Sequence, residues 1–152
     1  MKAKVLMVCL GNICRSPLAE GILQAKLPQE HFLVDSAGTG NWHVGELPDP
    51  RSIEVAKKYG IDLTTQRARQ FKKSDFSTFD YIFVMDQSNY NNVIQLTENQ
   101  EEKNKVRLLL DVLDETKKAE VPDPYYGGPD GFEHVFQLID EACNLIAKNL
   151  KS

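Results

Sequence analysis

Cys9 and Arg15 are the residues of this sequence whose types and spacing are best suited to chemistry. Cys9 ends an apolar run, and Arg15 follows six positions later, directly before Ser16 and Pro17. Ser16 could accept hydrogen bonds from the free amides of a helix start, and Pro17 suits the first helical turn because its missing N–H is not needed there. The pattern predicts a tight loop that runs from a strand into a helix N-terminus.

The predicted loop, residues 9–15, would gather positive potential without many positive side chains. Successive backbone N–H groups can point into one concavity, the helix dipole adds about half a unit of positive charge, and Arg15 is a planar two-pronged donor. A phosphate or another tetrahedral oxyanion is the natural ligand. In that field we expect Cys9 to be largely a thiolate and to act as a nucleophile. The remaining candidates for phosphate binding are Leu10, Gly11, Asn12, Ile13, Cys14 and Ser16.

The simpler interpretation is that this spacing arose by chance, since a cysteine is usually a small buried hydrophobe. The context favours the functional interpretation. A strand pattern precedes the loop, Gly11 and Asn12 suit unusual backbone angles, and a helix start follows.

Four segments in chain order carry a resemblance to a known family. They are residues 9–17 (CLGNICRSP), 35–39 (DSAGT), 79–82 running on to Met85 and Asp86, and 123–126 (DPYY). They are spread over most of the chain, and in this order the sequence resembles the low-molecular-weight protein tyrosine phosphatases. The resemblance implies an α/β fold of three layers, with a central four-stranded parallel sheet, helices on both faces and a phosphate-binding loop after the first strand.

The resemblance also implies a mechanism with Cys9, Arg15 and Asp123 as catalytic residues. The Cys9 thiolate would attack phosphorus, Arg15 and the loop amides would hold the equatorial oxygens, and Asp123 would protonate the leaving group. Asp123 would then serve as base for the water that hydrolyses the cysteinyl-phosphate. Taken alone, the Asp123-Pro124 pair is more typical of a turn. We expect no metal or other cofactor, because the three histidines show no metal-ligand spacing.

Three aromatic residues, Trp42, Tyr125 and Tyr126, are candidates for the rim of the site. They lie in glycine-rich or proline-rich stretches, which rarely bury side chains. A slot lined by aromatic rings suits a flat phenyl phosphate, so we expect phosphotyrosine-containing proteins or small aryl phosphates as substrates. Phosphate and other oxyanions would act as inhibitors.

Several residues could support the loop. The Asn12 amide could hold its shape, and the Ser16 hydroxyl could donate to the thiolate. Asp86, at the end of a predicted strand, could either steady Arg15 or cap a helix. Glu20 is expected on a solvated helix face.

The cysteines other than Cys9 have different expected roles. Cys14 could be simply buried, or it could form a disulfide with Cys9 on oxidation, as the resemblance implies. Cys143 lies on the apolar stripe of the last helix and is expected in the core. The odd number of cysteines argues against a secreted disulfide framework and favours a reducing cytoplasm.

The predicted elements alternate between strand and helix, which indicates a parallel sheet covered on both faces. Strands are expected at 4–9, 32–36, 80–85 and 106–110, and helices at 17–26, 50–60, 87–94 and 132–150. The length of 152 residues favours a single domain, 1–152. We expect no signal peptide and no membrane span, since no apolar run is long enough.

The net charge of -4 argues against binding to a nucleic acid. A basic cluster around Phe71 could bind a nucleic acid or an acidic partner, although a solvated face is the favoured interpretation. It comprises Arg67, Arg69, Lys72 and Lys73. Self-association through the rim of the site is a further possibility implied by the resemblance.

Three other functions share parts of the pattern. A thiol-dependent arsenate reductase carries further resolving cysteines, whereas here no cysteine lies between Cys14 and Cys143. A protein arginine phosphatase typically has threonine where this chain has Ile13, and it lacks the paired tyrosines. A phosphate-binding module without turnover would need neither Cys9 nor Asp123.

Overall fold

Strands and helices alternate along the backbone. The computed structural model describes residues 2–113, 119–124 and 130–152. The elements within them are, in chain order, β1 (Ala3–Cys9), α1 (Arg15–Lys26), β2 (Phe32–Gly38), α2 (Pro50–Lys58), α3 (Asp75–Thr78), β3 (Tyr81–Val84), α4 (Gln87–Ile94), α5 (Gln100–Asn104), β4 (Val106–Leu108), a 3-10 turn (Leu109–Val112) and α6 (Gly131–Lys151).

The four strands of the described residues form one parallel sheet in the order β2-β1-β3-β4. β1 is an interior strand, paired with β2 on one side and β3 on the other, so that Val5 lies between Val34 and Tyr81. An interior parallel strand is buried on both faces, which explains why β1 is an unbroken apolar run. This confirms the predicted fold.

Side chains of β1 alternate between two cores, because successive residues of a strand face opposite sides of the sheet. Val5 and Met7 pack in one core with α1, α2 and α6. Leu6 and Val8 pack in the other, with residues of α3 and α4. The three layers therefore follow from the sequence of a single strand.

The strand order changes direction at β1: β2 lies on one side of β1, and the next strand in sequence, β3, lies on the other. In open parallel sheets a crevice forms at such a point, beyond the carboxyl ends of the strands, and ligands bind there. The loop after Cys9 lies at this crevice.

Some predicted elements differ from the structure. The strand expected at 106–110 ends at Leu108 and continues as the 3-10 turn. Helices α3 and α5 were not predicted; they have four and five residues, too few for a helical repeat to show in the sequence. Within the described ranges, no helix combines the length and the apolar character needed to cross a bilayer.

The start of α1 also differs. The helix begins at Arg15, and no side chain caps it through a hydrogen bond. The prediction that Ser16 caps the helix is wrong, because its hydroxyl is used inside the loop instead.

Candidate active site

The loop between β1 and α1 forms the floor of a cavity of about 270 Å³. Cys9 is only 3% exposed and lies in this floor. The cavity is lined by Cys9, Leu10, Gly11, Ile13, Cys14, Arg15, Trp42, His43 and Asp123. All three predicted catalytic residues therefore border one space.

The Cys9 sulfur has a hydrogen-bond partner in Ser16, whose Oγ lies 3.0 Å from Sγ. The same hydroxyl accepts a hydrogen bond from Asn12 Nδ2, at 2.8 Å. A serine hydroxyl has one proton and two lone pairs, so Ser16 can accept from Asn12 and still use its proton for a hydrogen bond to sulfur. A hydroxyl that donates to a thiolate stabilises the charged, nucleophilic form.

Asn12 organises the loop through three hydrogen bonds of its side-chain amide. Nδ2 donates to Ser16 and, at 2.9 Å, to Ser36, while Oδ1 accepts from the backbone N–H of Arg69 at 3.0 Å. The residue is buried and has a φ of 56°, in the left-handed region that asparagine tolerates better than most residues. The side chain therefore holds a backbone turn that few residue types would adopt.

Arg15 is buried beside the cavity and held by two acceptors. Its Nη1 donates to Asp86 Oδ2 at 2.7 Å and to the Val121 carbonyl at 3.0 Å. Burial opposes the positive charge, but the Cys9 thiolate and the carboxylates of Asp86 and Asp123 raise the pKa of Arg15 above its usual value. The guanidinium is thus a fixed cation directed at this site.

Asp86 fulfils both of the roles considered for it. Oδ2 binds Arg15, and Oδ1 accepts from the backbone N–H of Asn89 at 2.8 Å, which caps α4. The two interpretations are compatible because each uses a different carboxylate oxygen.

Asp123 reaches the cavity because its segment is anchored just before it. Val121 is buried, its N–H donates to the Met85 carbonyl at 2.8 Å, and its carbonyl accepts from Arg15. Asp123 itself is exposed at the cavity mouth. That position suits a group which exchanges protons with a leaving group and with water.

The described part of the rim contains Trp42, Leu10 and His43. Trp42 is 67% exposed, as expected for a rim residue. His43 was not predicted to line the site; its Nδ1 lies 2.8 Å from Glu46 Oε2. Its place next to Trp42 in a glycine-rich stretch was the only signal in the sequence. The other predicted rim residues, Tyr125 and Tyr126, lie outside the described residues.

Glu20 is not on a solvated face. It is 8% exposed, and its Oε1 accepts from Ser36 Oγ at 2.6 Å. Burial raises the pKa of Glu20 to about 7, against the lowering effect of the Ser36 hydrogen bond; Asp35 raises it further and Arg69 lowers it. The prediction is wrong because residues 15–23 of α1 are all buried, so this part of the helix has no solvated face.

The basic cluster around Phe71 divides into two parts. Arg69 is half-buried and forms ion pairs with Asp35 at 3.2 Å and with Asp75 at 3.1 Å, so the prediction of a solvated face is wrong for it. Arg67, Lys72 and Lys73 are exposed.

The three cysteines are all buried, and the possible metal ligands do not cluster in the described residues. None of Cys9, Cys14 and Cys143 is in a disulfide within the described residues. Burial raises the pKa of the Cys143 thiol well above its usual range, and Cys143 lies in the core as predicted. Within the part of the chain that the structure describes, no group of three His, Cys, Asp or Glu residues could hold a metal ion.

Comparison with known proteins places this chain in a family. The family model described as low molecular weight phosphotyrosine protein phosphatase matches residues 4–152. The enzyme of that name from Schizosaccharomyces pombe is 46% identical over 149 residues, covering 94% of each chain.

Two solved structures are similar throughout. A protein tyrosine phosphatase from Entamoeba histolytica, with Hepes in its active site, has a TM-score of 0.91 at 38% identity and covers 99% of this chain and 97% of its own. A Drosophila arginine phosphatase has a TM-score of 0.88 at 34% identity and covers 100% and 99%. The chain therefore belongs to the low-molecular-weight phosphotyrosine protein phosphatase family.

Proposed function

We propose that the protein hydrolyses phosphotyrosine in proteins, and small aryl phosphates, with Cys9 as nucleophile and Asp123 as general acid and base. The observation that carries the assignment of roles is the shared cavity of Cys9, Arg15 and Asp123. Cys9 lies at its floor and Asp123 at its mouth, which leaves room for a phosphoryl group between nucleophile and acid.

In the first step the Cys9 thiolate attacks phosphorus in line with the ester oxygen. The S–P bond forms as the P–O bond breaks, and Asp123 gives its proton to the departing phenolate. Arg15 stabilises the charge on the equatorial oxygens, together with backbone amides of the loop residues Leu10, Gly11, Asn12, Ile13 and Cys14. Asp123 is therefore the general acid of this step.

In the second step the ionised Asp123 takes a proton from a water molecule that attacks phosphorus. The S–P bond breaks, inorganic phosphate leaves, and Cys9 returns to the thiolate. The Ser16 hydroxyl, 3.0 Å from sulfur, supports this step because it stabilises the departing thiolate.

The preference for aryl esters is assigned to the rim. Trp42 is exposed beside the cavity and offers a flat apolar surface for a phenyl ring. Tyr125 and Tyr126, which directly follow Asp123-Pro124 in the sequence, stay predicted substrate-binding residues.

Phosphoarginine is the second candidate substrate, because the similar Drosophila structure is of an arginine phosphatase. Ile13, which lines the cavity in place of the threonine typical of arginine phosphatases, favours tyrosine. The two substrates differ in the leaving atom, nitrogen against oxygen, so a direct comparison of kcat/KM separates them.

The test is hydrolysis of an aryl phosphate with chelator present, by the native protein and by Cys9→Ser and Asp123→Ala variants. We expect no turnover without Cys9 and a loss of about 100-fold or more in kcat without Asp123. Phosphoarginine and arsenate serve as competing substrates. Turnover that does not depend on Cys9 would contradict the proposed mechanism.

We also infer that oxidation reversibly inactivates the enzyme through a Cys9–Cys14 disulfide. Both thiols are buried and border the same cavity, and neither is in a disulfide within the described residues. A nucleophilic thiol must stay reduced to act, which supports a reducing, cytoplasmic setting.

A further inference from the structure

A second groove, which we call the flanking groove, adjoins the catalytic cavity. It has a volume of about 530 Å³ and is bordered by Leu10, Trp42, Lys72, Lys73, Asn92 and Leu96. Leu10 and Trp42 also line the catalytic cavity. The flanking groove is therefore directly accessible to the parts of a substrate that lie next to the group bound at Cys9.

The Trp42 side chain borders both spaces and lies against the backbone of Gly40. The Trp42 ring lies so close to Gly40 that a Cβ on Gly40 would come within 1.9 Å of it. Glycine at this position allows the ring to lie against the backbone. The exposed edge of Trp42 therefore separates two adjoining subsites.

The flanking groove combines apolar surface with positive charge. Leu10 is 47% exposed and Leu96 is also exposed, so both can contact a ligand's aliphatic or backbone atoms. Lys72 and Lys73 are exposed on the same groove. This local positive charge contrasts with the net charge of -4 for the whole chain.

The two lysines are available to a ligand. In the parts of the chain that the structure describes, Lys72 forms no ion pair, and Lys73 has only a long, exposed pair with Glu98 at 3.5 Å. Such pairs contribute little in water and exchange partners easily. Arg69, in contrast, is already neutralised by Asp35 and Asp75.

The backbone that carries the lysines is fixed relative to the catalytic loop. The N–H of Gly38 donates to the Arg69 carbonyl at 2.8 Å, and the N–H of Phe71 donates to the Gly38 carbonyl at 2.7 Å. The backbone N–H of Lys72 donates to the buried Asp75 carboxylate at 3.0 Å. A preorganised surface of this kind loses little freedom when it binds a peptide.

We propose that the flanking groove binds the residues next to phosphotyrosine in the substrate, and that Lys72 and Lys73 select substrates with acidic side chains there. The proposal rests on the function proposed above and names its substrate class: acidic phosphotyrosine segments. Because the flanking groove shares Leu10 and Trp42 with the catalytic cavity, the selected acidic residues are those next to the phosphotyrosine.

The test compares three phosphotyrosine peptides that differ only in flanking charge: acidic, neutral and basic. The native protein is expected to show a kcat/KM for the acidic peptide about tenfold above that for the basic peptide. The Lys72→Glu, Lys73→Glu double variant is expected to lose or reverse this preference. Its kcat/KM for p-nitrophenyl phosphate, which has no flanking residues, should stay near the native value.

A matched control carries Lys57→Glu and Lys148→Glu, which change the net charge equally on exposed positions that do not border the flanking groove. The control should keep the native preference. Raised salt should weaken the preference of the native protein, because exposed charges are screened. An unchanged preference in the Lys72/Lys73 variant, or an equal change in the control, would overturn the proposal.

The Cys9→Ser variant separates this proposal from the proposed function, since its peptide affinities can be measured by fluorescence anisotropy without turnover. Absence of hydrolysis with the native protein would contradict the function alone, if the affinities still followed flanking charge. Hydrolysis with no difference among the peptides would contradict the groove assignment alone.

Discussion

At the scale of single residues, the proposed nucleophile is the end of a buried chain of hydrogen bonds. It runs from Cys9 through Ser16, Asn12 and Ser36 to Glu20. Each hydroxyl accepts one hydrogen bond from Asn12, which leaves its own proton to donate outward, to sulfur in one direction and to the carboxyl in the other. The Asn12 amide therefore holds both serine oxygens in position at once.

Glu20 makes stability depend on pH. Its pKa of about 7 in the folded protein is above the usual 4.5, so the fold favours the protonated form. The resulting stabilisation is complete below about pH 4.5 and is lost as pH rises to about 7, a change of roughly 3 kcal/mol. We expect the native protein to lose this much stability relative to Glu20→Gln between pH 4 and pH 8. Urea unfolding of both proteins across this range measures it, and a difference that does not vary with pH would contradict it.

At the scale of elements, the site depends on where three strands end. Cys9 is the last residue of β1, Asp86 follows β3, and Ser36 lies near the end of β2. Parallel strands bring their carboxyl ends to the same edge, so residues far apart in sequence meet there. The N-terminus of α4 contributes as well, because its cap is also the partner of Arg15.

The two functions of Asp86 can be separated by substitution. Asparagine caps helices about as well as aspartate but carries no charge. Alanine carries no charge and does not cap. We expect Asp86→Asn to keep most of the stability and to lose about tenfold in kcat/KM for an aryl phosphate, because Arg15 loses its charged partner. Asp86→Ala should lose similar activity and an additional ~1 kcal/mol of unfolding free energy. Thermal unfolding and steady-state kinetics of both variants provide the measurement, and full activity in Asp86→Asn would refute the positioning role.

At the scale of the whole molecule, two cores on the faces of one sheet support a single catalytic edge. The family model spans residues 4–152, so one family match covers both the candidate site and the cores that position it. Folding as a single domain, and self-association through the rim, stay predictions.

Oxyanion binding should stabilise the whole fold, because the loop exists only in the folded state. At a phosphate concentration about 100 times its Kd, linkage gives about 2.7 kcal/mol, or roughly 5–10 °C in Tm for a chain of this size. Vanadate or phosphate is expected to raise Tm in the native protein and much less in Arg15→Lys, which lacks the two-pronged donor. Equal shifts in both proteins would indicate that the anion binds elsewhere.

The sequence was sufficient to predict those features whose physical cause lies in residues close together along the chain. The apolar run of β1, the spacing of Cys9 and Arg15, and the apolar stripe of α6 depend on residues that are neighbours along the chain. They predicted the fold class and the position of the loop, and the resemblance to the family added Asp123.

Tertiary structure decided what depends on contacts between distant segments. Arg15 binds the carbonyl of Val121, 106 positions away, and Glu20 is buried because α1 is covered on all sides over its first nine residues. His43 and the flanking groove were likewise not found in the sequence. A side chain's type does not reveal what packs against it. The burial of Glu20, and the lack of an ion pair at Lys72 among the described residues, therefore became visible only in the assembled fold.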